Sequence, residues 1–292
     1  MFKKTGIVSL LVASFAVSAF AQEVSPVILV DKKTNQIHVG NYKTDQIEVV
    51  KTFHTTLGKT RGDKEVEKDL KTPEGIYLFT AKLRPPQIKK KFGKMAIMMN
   101  YPNPIDLIAG KTGFDIMLHA TDEPARLSKD LDSEGCVVVS DEQIEEISQH
   151  IRLGITPIII YDELKPEFLK ADSKPELRQA FQKWLTAWNG KDIDAYIGSY
   201  SDKFVYNGMN LRKYREYKDS LNKKYSKIQV EAENIRYFFH PKYDVVAFIQ
   251  NYQSELRGGG KGFKSVGTKF LYFVKDAGGA FKVANESYTN LR

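Results

Sequence analysis

The chain has 292 residues, 42% hydrophobic and 27% charged, with 20 glycines and 11 prolines. That supplies one large or two ordinary cores and excludes disordered, collagen-like and low-complexity classes. The net charge of +8 comes from 44 basic and 36 acidic residues spread along the chain. The one tight cluster, Lys89-Lys90-Lys91 with Lys94, has no aromatic ladder beside it, so nucleic acid is not an expected partner.

Residues 1–21 combine Lys3 and Lys4, an apolar stretch from about Ile7 to Val17, and Ala19-Phe20-Ala21. These are the three parts of a secretory signal peptide, with cleavage expected after Ala21. The apolar stretch is too short to span a bilayer stably and no later segment is long enough, so an exported chain without membrane insertion is expected. Gln22 rather than cysteine follows the cleavage position, which gives no support to a lipoprotein anchor. The expected location is the periplasm. The basic bias survives removal of the signal and suits an anionic wall polymer.

A single cysteine in an exported chain forms no internal disulfide. Cys136 lies in Asp132-Ser133-Glu134-Gly135-Cys136-Val137-Val138-Val139, a glycine turn feeding a β-branched strand. Glycine before a nucleophile permits close backbone approach, and consecutive amides there can hold an oxyanion. A thiol needs a base. Of five histidines, His38, His54, His150 and His240 have no notable context. His119 ends the alternating run Gly113 to Leu118, which reads as a strand, and precedes Cys136 by 17 residues. No metal spacing, phosphate loop or nucleotide fingerprint is present, so no metal or cofactor is expected.

The stretch Gly110-Lys111-Thr112-Gly113-Phe114-Asp115-Ile116-Met117-Leu118-His119-Ala120-Thr121, followed by Ser133-Glu134-Gly135-Cys136, resembles the YkuD-type L,D-transpeptidase catalytic domain. Gly58-Lys59-Thr60-Arg61-Gly62-Asp63, Thr72-Pro73-Glu74-Gly75-Ile76-Tyr77 and Asn100-Tyr101-Pro102-Asn103 extend the likeness over about residues 26–163. NlpC-type peptidases place cysteine before histidine, whereas here histidine comes first. The resemblance implies a mainly β catalytic domain, a β-sandwich with short helices, over residues 22–164. It also implies Cys136 as nucleophile, His119 as base, and the Ala120 carbonyl orienting the imidazole. Gly135 and Cys136 would supply oxyanion amides, while Ser133, Tyr101 and Thr121 would contact substrate, the stem peptides of peptidoglycan. Two positions depart from the family pattern: Ala120 replaces a glycine and Glu134 an arginine. Lys89 to Met98 is read from its charge as a mobile element over the cleft.

After the strand-like Pro157-Ile158-Ile159-Ile160-Tyr161, a polar, proline-marked segment over 165–174 reads as a linker. Leu177, Ala180, Phe181, Trp184, Leu185 and Trp188 then recur at helical spacing, and a second helix is expected from Leu211 to Lys224. Strands are expected at Ile228 to Phe239, Asp244 to Glu255, Ser265 to Lys275 and Ala280 to Tyr288, separated by turns at Pro241-Lys242, Gly258-Gly259-Gly260 and Gly278-Gly279. Residues 175–292 therefore read as an α+β domain. Trp184, Trp188 to Asp192, Tyr196 and Tyr200 to Phe204 make it similar to the cone-shaped nuclear transport factor 2-like (SnoaL-like) domains. Tyr206, Tyr252 and Tyr288 are expected in its core, with a pocket lining as the alternative. A YkuD-type domain followed by such a cone resembles periplasmic L,D-carboxypeptidases that trim wall tetrapeptides to tripeptides in curved and helical bacteria, with effects on cell shape. Transfer to a second stem peptide, and wall binding without efficient catalysis, are the alternatives. The sequence leaves the oligomeric state open.

Overall fold

The computed structural model describes residues 25–291 apart from 45, 171 and 172, so the expected export signal lies outside the described residues. The first half supplies ten strands: β1 (Ser25–Asp31), β2 (Gln36–Lys43), β3 (Gln46–His54), β4 (Leu57–Gly58), β5 (Gly75–Leu83), β6 (Ala96–Met99), β7 (Met117–His119), β8 (Leu131–Ser133), β9 (Val137–Val138) and β10 (Pro157–Tyr161). Its helices are α1 (Pro104–Ile108) and α2 (Asp141–Ser148). Eight strands form one mixed sheet in the order β3-β2-β1-β10-β5-β6-β7-β9, and β4 pairs with β8 in a small second sheet. Helix α2 starts at Ser140, whose hydroxyl takes the Gln143 amide while the Gln143 side chain takes the Ser140 amide, a reciprocal cap.

The second half contributes α3 (Pro175–Asn189), α4 (Ile193–Ile197), the short β11 (Val205–Tyr206) and β12 (Met209–Asn210), and α5 (Leu211–Lys224). An antiparallel meander follows: β13 (Tyr225–Phe239), β14 (Asp244–Leu256), β15 (Lys264–Lys275) and β16 (Phe281–Asn290). The apolar stripe of α3 buries Leu177, Phe181 and Trp184 completely against the sheet. Among the described residues no helix is long and apolar enough to cross a membrane.

Strand periodicity explains how the halves join. In β1, β5 and β10, Ile28, Val30, Tyr77, Phe79, Ile158 and Ile160 face the core of the first half. Their alternates Val27, Leu29, Ile76, Leu78, Ile159 and Tyr161 pack on Phe238, Val245, Ala247, Phe270 and Tyr272 of the meander. The alternates in the meander, including Phe239, Val246, Phe248, Leu271 and Phe273, face the helices of the second half. Both sheets are thus apolar on two faces, and the shared layer between them is a third core. Polar groups pin it: the Tyr161 hydroxyl donates to the Phe239 carbonyl at 2.8 Å, and the Tyr42 hydroxyl accepts the Tyr237 amide at 3.0 Å. The segment joining the halves also packs, since the Phe168 ring stacks on Tyr161 with centroids 5.0 Å apart.

Two sequence expectations change locally. The expected strand from Gly113 shrinks to Met117–His119, because Asp115 adopts φ +59° and breaks the extended run. The Lys89 to Met98 element divides: Ala96–Met99 is a strand hydrogen-bonded between β5 and β7, and only the part before it crosses the cleft.

Candidate active site

Strands β7 and β9 are parallel neighbours, with Leu118 opposite Val137 and His119 opposite Val138. Cys136 immediately precedes β9 and so falls opposite Met117, two residues short of His119 along the parallel pair, and strand alternation turns thiol and imidazole to the same face of the sheet. Both line a cleft of about 1170 Å³ together with Phe92, Asp115, Glu134 and Lys91.

His119 is 3% exposed and its Nδ1 donates to the Ala120 carbonyl at 2.5 Å. That bond fixes the tautomer with Nε2 unprotonated and the ring orientation with it. Ala120 does not have positive φ, so alanine offers this carbonyl without strain. The Phe92 ring lies edge-on to the imidazole, 4.9 Å between centroids at 75°.

The turn carrying Cys136 is held by its own serine. The buried Ser133 hydroxyl donates to the Cys136 carbonyl at 2.7 Å and accepts the Gly135 amide at 3.1 Å. Lys59 donates its amide to the Ser133 carbonyl at 2.9 Å, and Arg126 grips Asp132 through its side chain at 2.9 Å and its carbonyl at 3.1 Å. Gly135 has φ +128°, and a Cβ there would stand 2.7 Å from the Lys71 carbonyl oxygen. The close approach that demands glycine is therefore to Lys71.

This corrects part of the expected oxyanion site. The Gly135 amide is committed to Ser133, which leaves the Cys136 amide for a developing oxyanion in this conformation. Ser133 lines the cleft, but its hydroxyl serves the turn. Tyr101 and Thr121 lie outside the cleft lining: the Tyr101 hydroxyl donates to the Thr112 carbonyl at 3.1 Å, and the Thr121 hydroxyl accepts the Glu123 amide at 3.2 Å.

The half-buried Cys136 sulfur points to the Asp115 carbonyl at 3.6 Å. Burial pushes the thiol up to about 11 against the pull of the Met117 amide and the Lys91 charge, with Asp115 and Glu134 adding to the rise. Burial also pushes the His119 ring down to about 4, against the Ala120 hydrogen bond. At rest the pair is thus a neutral thiol beside a neutral imidazole, not a preformed ion pair. Sequence reasoning missed Asp115, Met117, Phe92 and Lys71, which act through backbone atoms or ring packing. Only the Gly113-Phe114-Asp115 turn residues before the histidine hinted at a special backbone there.

The second half contains a cavity of about 350 Å³. Tyr206, Tyr252 and Tyr288 line it, and Tyr206 and Tyr252 also pack against the core of this half. At its wall the buried Glu286 carboxylate pairs with Lys269 at 2.7 Å and accepts a hydrogen bond from the Tyr214 hydroxyl. The Lys218 ammonium lies over Trp188, 4.4 Å from the ring centroid, and near Tyr196 and Tyr214. Gln250 and Tyr288 each carry a buried oxygen with no hydrogen-bond partner among the described residues.

Residues 25–160 match the L,D-transpeptidase catalytic domain of the YkuD family, and residues 176–287 match the Cds6 C-terminal NTF2-like domain. The structure of Bd1075 from Bdellovibrio bacteriovorus is 29% identical over 92% of this chain and 93% of that chain, with a TM-score of 0.74. The helical cell shape determining protein Pgp2 from Campylobacter jejuni is 21% identical over 91% of this chain and 92% of its own, with a TM-score of 0.68. None of the curated proteins matches the chain.

Proposed function

We propose that this chain, which joins a YkuD-family L,D-transpeptidase catalytic domain to a C-terminal NTF2-like domain, is an exported cysteine L,D-carboxypeptidase that removes the terminal D-alanine from peptidoglycan tetrapeptide stems. The observation that carries the reading is that Cys136 and His119, on neighbouring parallel strands, line one cleft, with the imidazole held by the Ala120 carbonyl.

The chemistry follows from the two neutral groups. As Cys136 Sγ attacks the carbonyl preceding the terminal residue, its proton passes to His119 Nε2, because neither group is ionised at rest. The carbonyl π pair moves to oxygen, where the Cys136 amide meets it. Collapse of this adduct breaks the C–N bond, and the His119 imidazolium protonates the departing amine. Water, deprotonated by His119, attacks the thioester, and the thiol is restored when it leaves. Resolution by a stem-peptide amine instead of water would make the same acyl-enzyme a transpeptidase.

Two considerations favour water. The end-to-end fold likeness to a helical cell shape determining protein fits a wall-editing role, and a second domain fused over a large shared core suits a rigid grip on the wall polymer. The aromatic cavity with Lys218 and Lys269 is the part of that domain suited to holding such a chain. The periplasm is the location this reading requires.

The test incubates purified protein with disaccharide tetrapeptide, wild type beside Cys136→Ala, with products resolved by mass spectrometry. Loss of one alanine only in the wild type supports the proposal. Dimeric products lacking one alanine assign transfer, and unchanged substrate in both removes the reading.

A further inference from the structure

The cleft contains an acid where its family carries an arginine. Glu134 sits directly before Gly135, Asp115 turns its backbone carbonyl to the sulfur, and the charges of both acids bear on Cys136. Yet a stem peptide ends in a free carboxylate. Its carboxylate carbon stands three bonds from the attacked carbonyl carbon, less than about 4.5 Å away. A cation must therefore lie close to the nucleophile for the terminal residue to enter.

Several cleft cations are already committed: Lys64 to Asp69 at 2.7 Å, Arg126 to Asp132 at 2.9 Å, and Lys129 to Asp132 at 3.7 Å. Lys91 differs. Among the described residues it has no carboxylate within ion-pair distance, and its ammonium rests 5.1 Å from the Phe92 ring centroid. Phe92 in turn packs edge-on to His119. The 3-10 turn Lys90–Phe92 that carries Lys91 is anchored at its far end, where the Lys94 amide donates to the Asp141 carboxylate at 2.7 Å and Gly93 packs against Ala120. The turn thus holds this ammonium at the rim beside the catalytic pair. Its charge reaches both groups, lowering the Cys136 thiol and the His119 ring alike.

We propose that Lys91 is the specificity-determining cation of the cleft, its ammonium receiving the free α-carboxylate of the terminal residue that leaves in the acylation step. The inference rests on the stem-peptide reading above, but not on water rather than an amine as acceptor, since both reactions expel the same terminal residue. It also supplies a reason why the chain tolerates Glu134: the carboxylate is held by the turn that carries Lys91 rather than from the position before Gly135.

The test measures release of the terminal residue from disaccharide tetrapeptide and from the same compound ending in a carboxamide. Wild type should prefer the carboxylate roughly 10- to 100-fold in kcat/KM, as for a hydrogen bond to a charged group. Lys91→Ala should lose a similar factor on the carboxylate, chiefly through KM, and little on the carboxamide, so that the preference collapses; Lys91→Arg should retain most of it. Lys91 is exposed, so an unchanged thermal melt is expected in each variant. Wild-type kcat/KM in Lys91→Ala, or an undiminished preference for the carboxylate, would overturn the assignment. No release from either compound by wild type would instead remove the stem-peptide reading and this inference with it.

Discussion

Gly93 faces Ala120 so closely that a Cβ on Gly93 would stand 2.7 Å from the Ala120 methyl carbon. It would also meet the Thr121 amide at 2.9 Å and an Asp141 carboxylate oxygen at 2.5 Å, and Gly93 holds φ +61°. The methyl at position 120, where the family pattern has glycine, is thus accommodated by a glycine in the turn above it. Gly93→Ala should destabilise by about 1–3 kcal/mol through strain and overpacking. Because Ala120 orients His119, D-alanine release should fall with it. Ala120→Gly should keep the hydrogen bond from His119 and most activity. Thermal melts and release assays on both variants check this, and full activity in Gly93→Ala would refute it.

The Ser133 hydroxyl spans the nucleophile turn, so its removal should act on rate rather than affinity. Ser133→Ala frees the Gly135 amide and the Cys136 carbonyl from their only shared partner in the turn. A drop of roughly tenfold in kcat with KM nearly constant is expected, corresponding to one or two lost hydrogen bonds in positioning. A rise in KM at constant kcat would instead restore the direct substrate contact that the sequence suggested. Gly135→Ala should be more severe, since its Cβ meets backbone at Lys71.

The resting protonation state gives a pH test. With the thiol near 11, the thiolate fraction at pH 7 is on the order of 10⁻⁴, so iodoacetamide should label Cys136 slowly and accelerate about tenfold per pH unit through pH 10. His119, lowered to about 4, is a base only when neutral, so kcat/KM should hold steady down to about pH 5 and fall as acid protonates the ring near pH 4. Labelling that saturates below pH 8 would show a preformed thiolate and refute the neutral pair.

What could be read in advance follows from range along the chain. Cys136 and His119 were legible because each sits in a contiguous motif whose residue types carry the chemistry. The meander was legible because proline and glycine punctuate it, and α5 runs over the residues its spacing predicted. Partners remote in sequence were not legible: nothing in Ser133 reveals that its hydroxyl faces Gly135 rather than substrate, and nothing near Lys71 points to Gly135. Tyr206, Tyr252 and Tyr288 alternate as core residues do, but periodicity reports the face a side chain takes, not whether that face is filled. The apolar runs of β1 and β10 are buried on both sides, yet nothing in them names the second domain as the cover.

The buried pair in the second domain sets a stability test. Burial alone would raise the Glu286 carboxyl, yet Lys269, Lys218 and the Tyr214 hydrogen bond hold it below its ordinary value. A depressed carboxyl contributes stability that is complete above its unfolded value, about 4.3, and is lost as pH falls through the lower folded value. Melting temperature should therefore drop more steeply below about pH 4 in wild type than in Glu286→Gln. Lys269→Ala strands a carboxylate that is 4% exposed and should cost about 3–5 kcal/mol. Equal acid profiles for wild type and Glu286→Gln would count against the pairing.

The shared core predicts that the catalytic half does not stand alone. Cutting after residue 164 would bare Val27, Leu29, Ile76, Ile159 and Tyr161 together, all 1% exposed or less in the full chain. Each such side chain contributes about 1.5–3 kcal/mol when buried, so their joint exposure rivals the 5–15 kcal/mol that holds a typical domain together. Specific bonds go too: the Tyr243 hydroxyl, which accepts the Ile76 amide and the Asn103 side-chain amide at 2.6 Å each, and Lys242, paired with Glu74 at 3.2 Å. Residues 22–164 expressed alone should aggregate or melt without cooperativity, and release no D-alanine. A monomeric fragment with a cooperative melt near that of the full chain would refute this, and would mean that the second domain rests on the first without sustaining it.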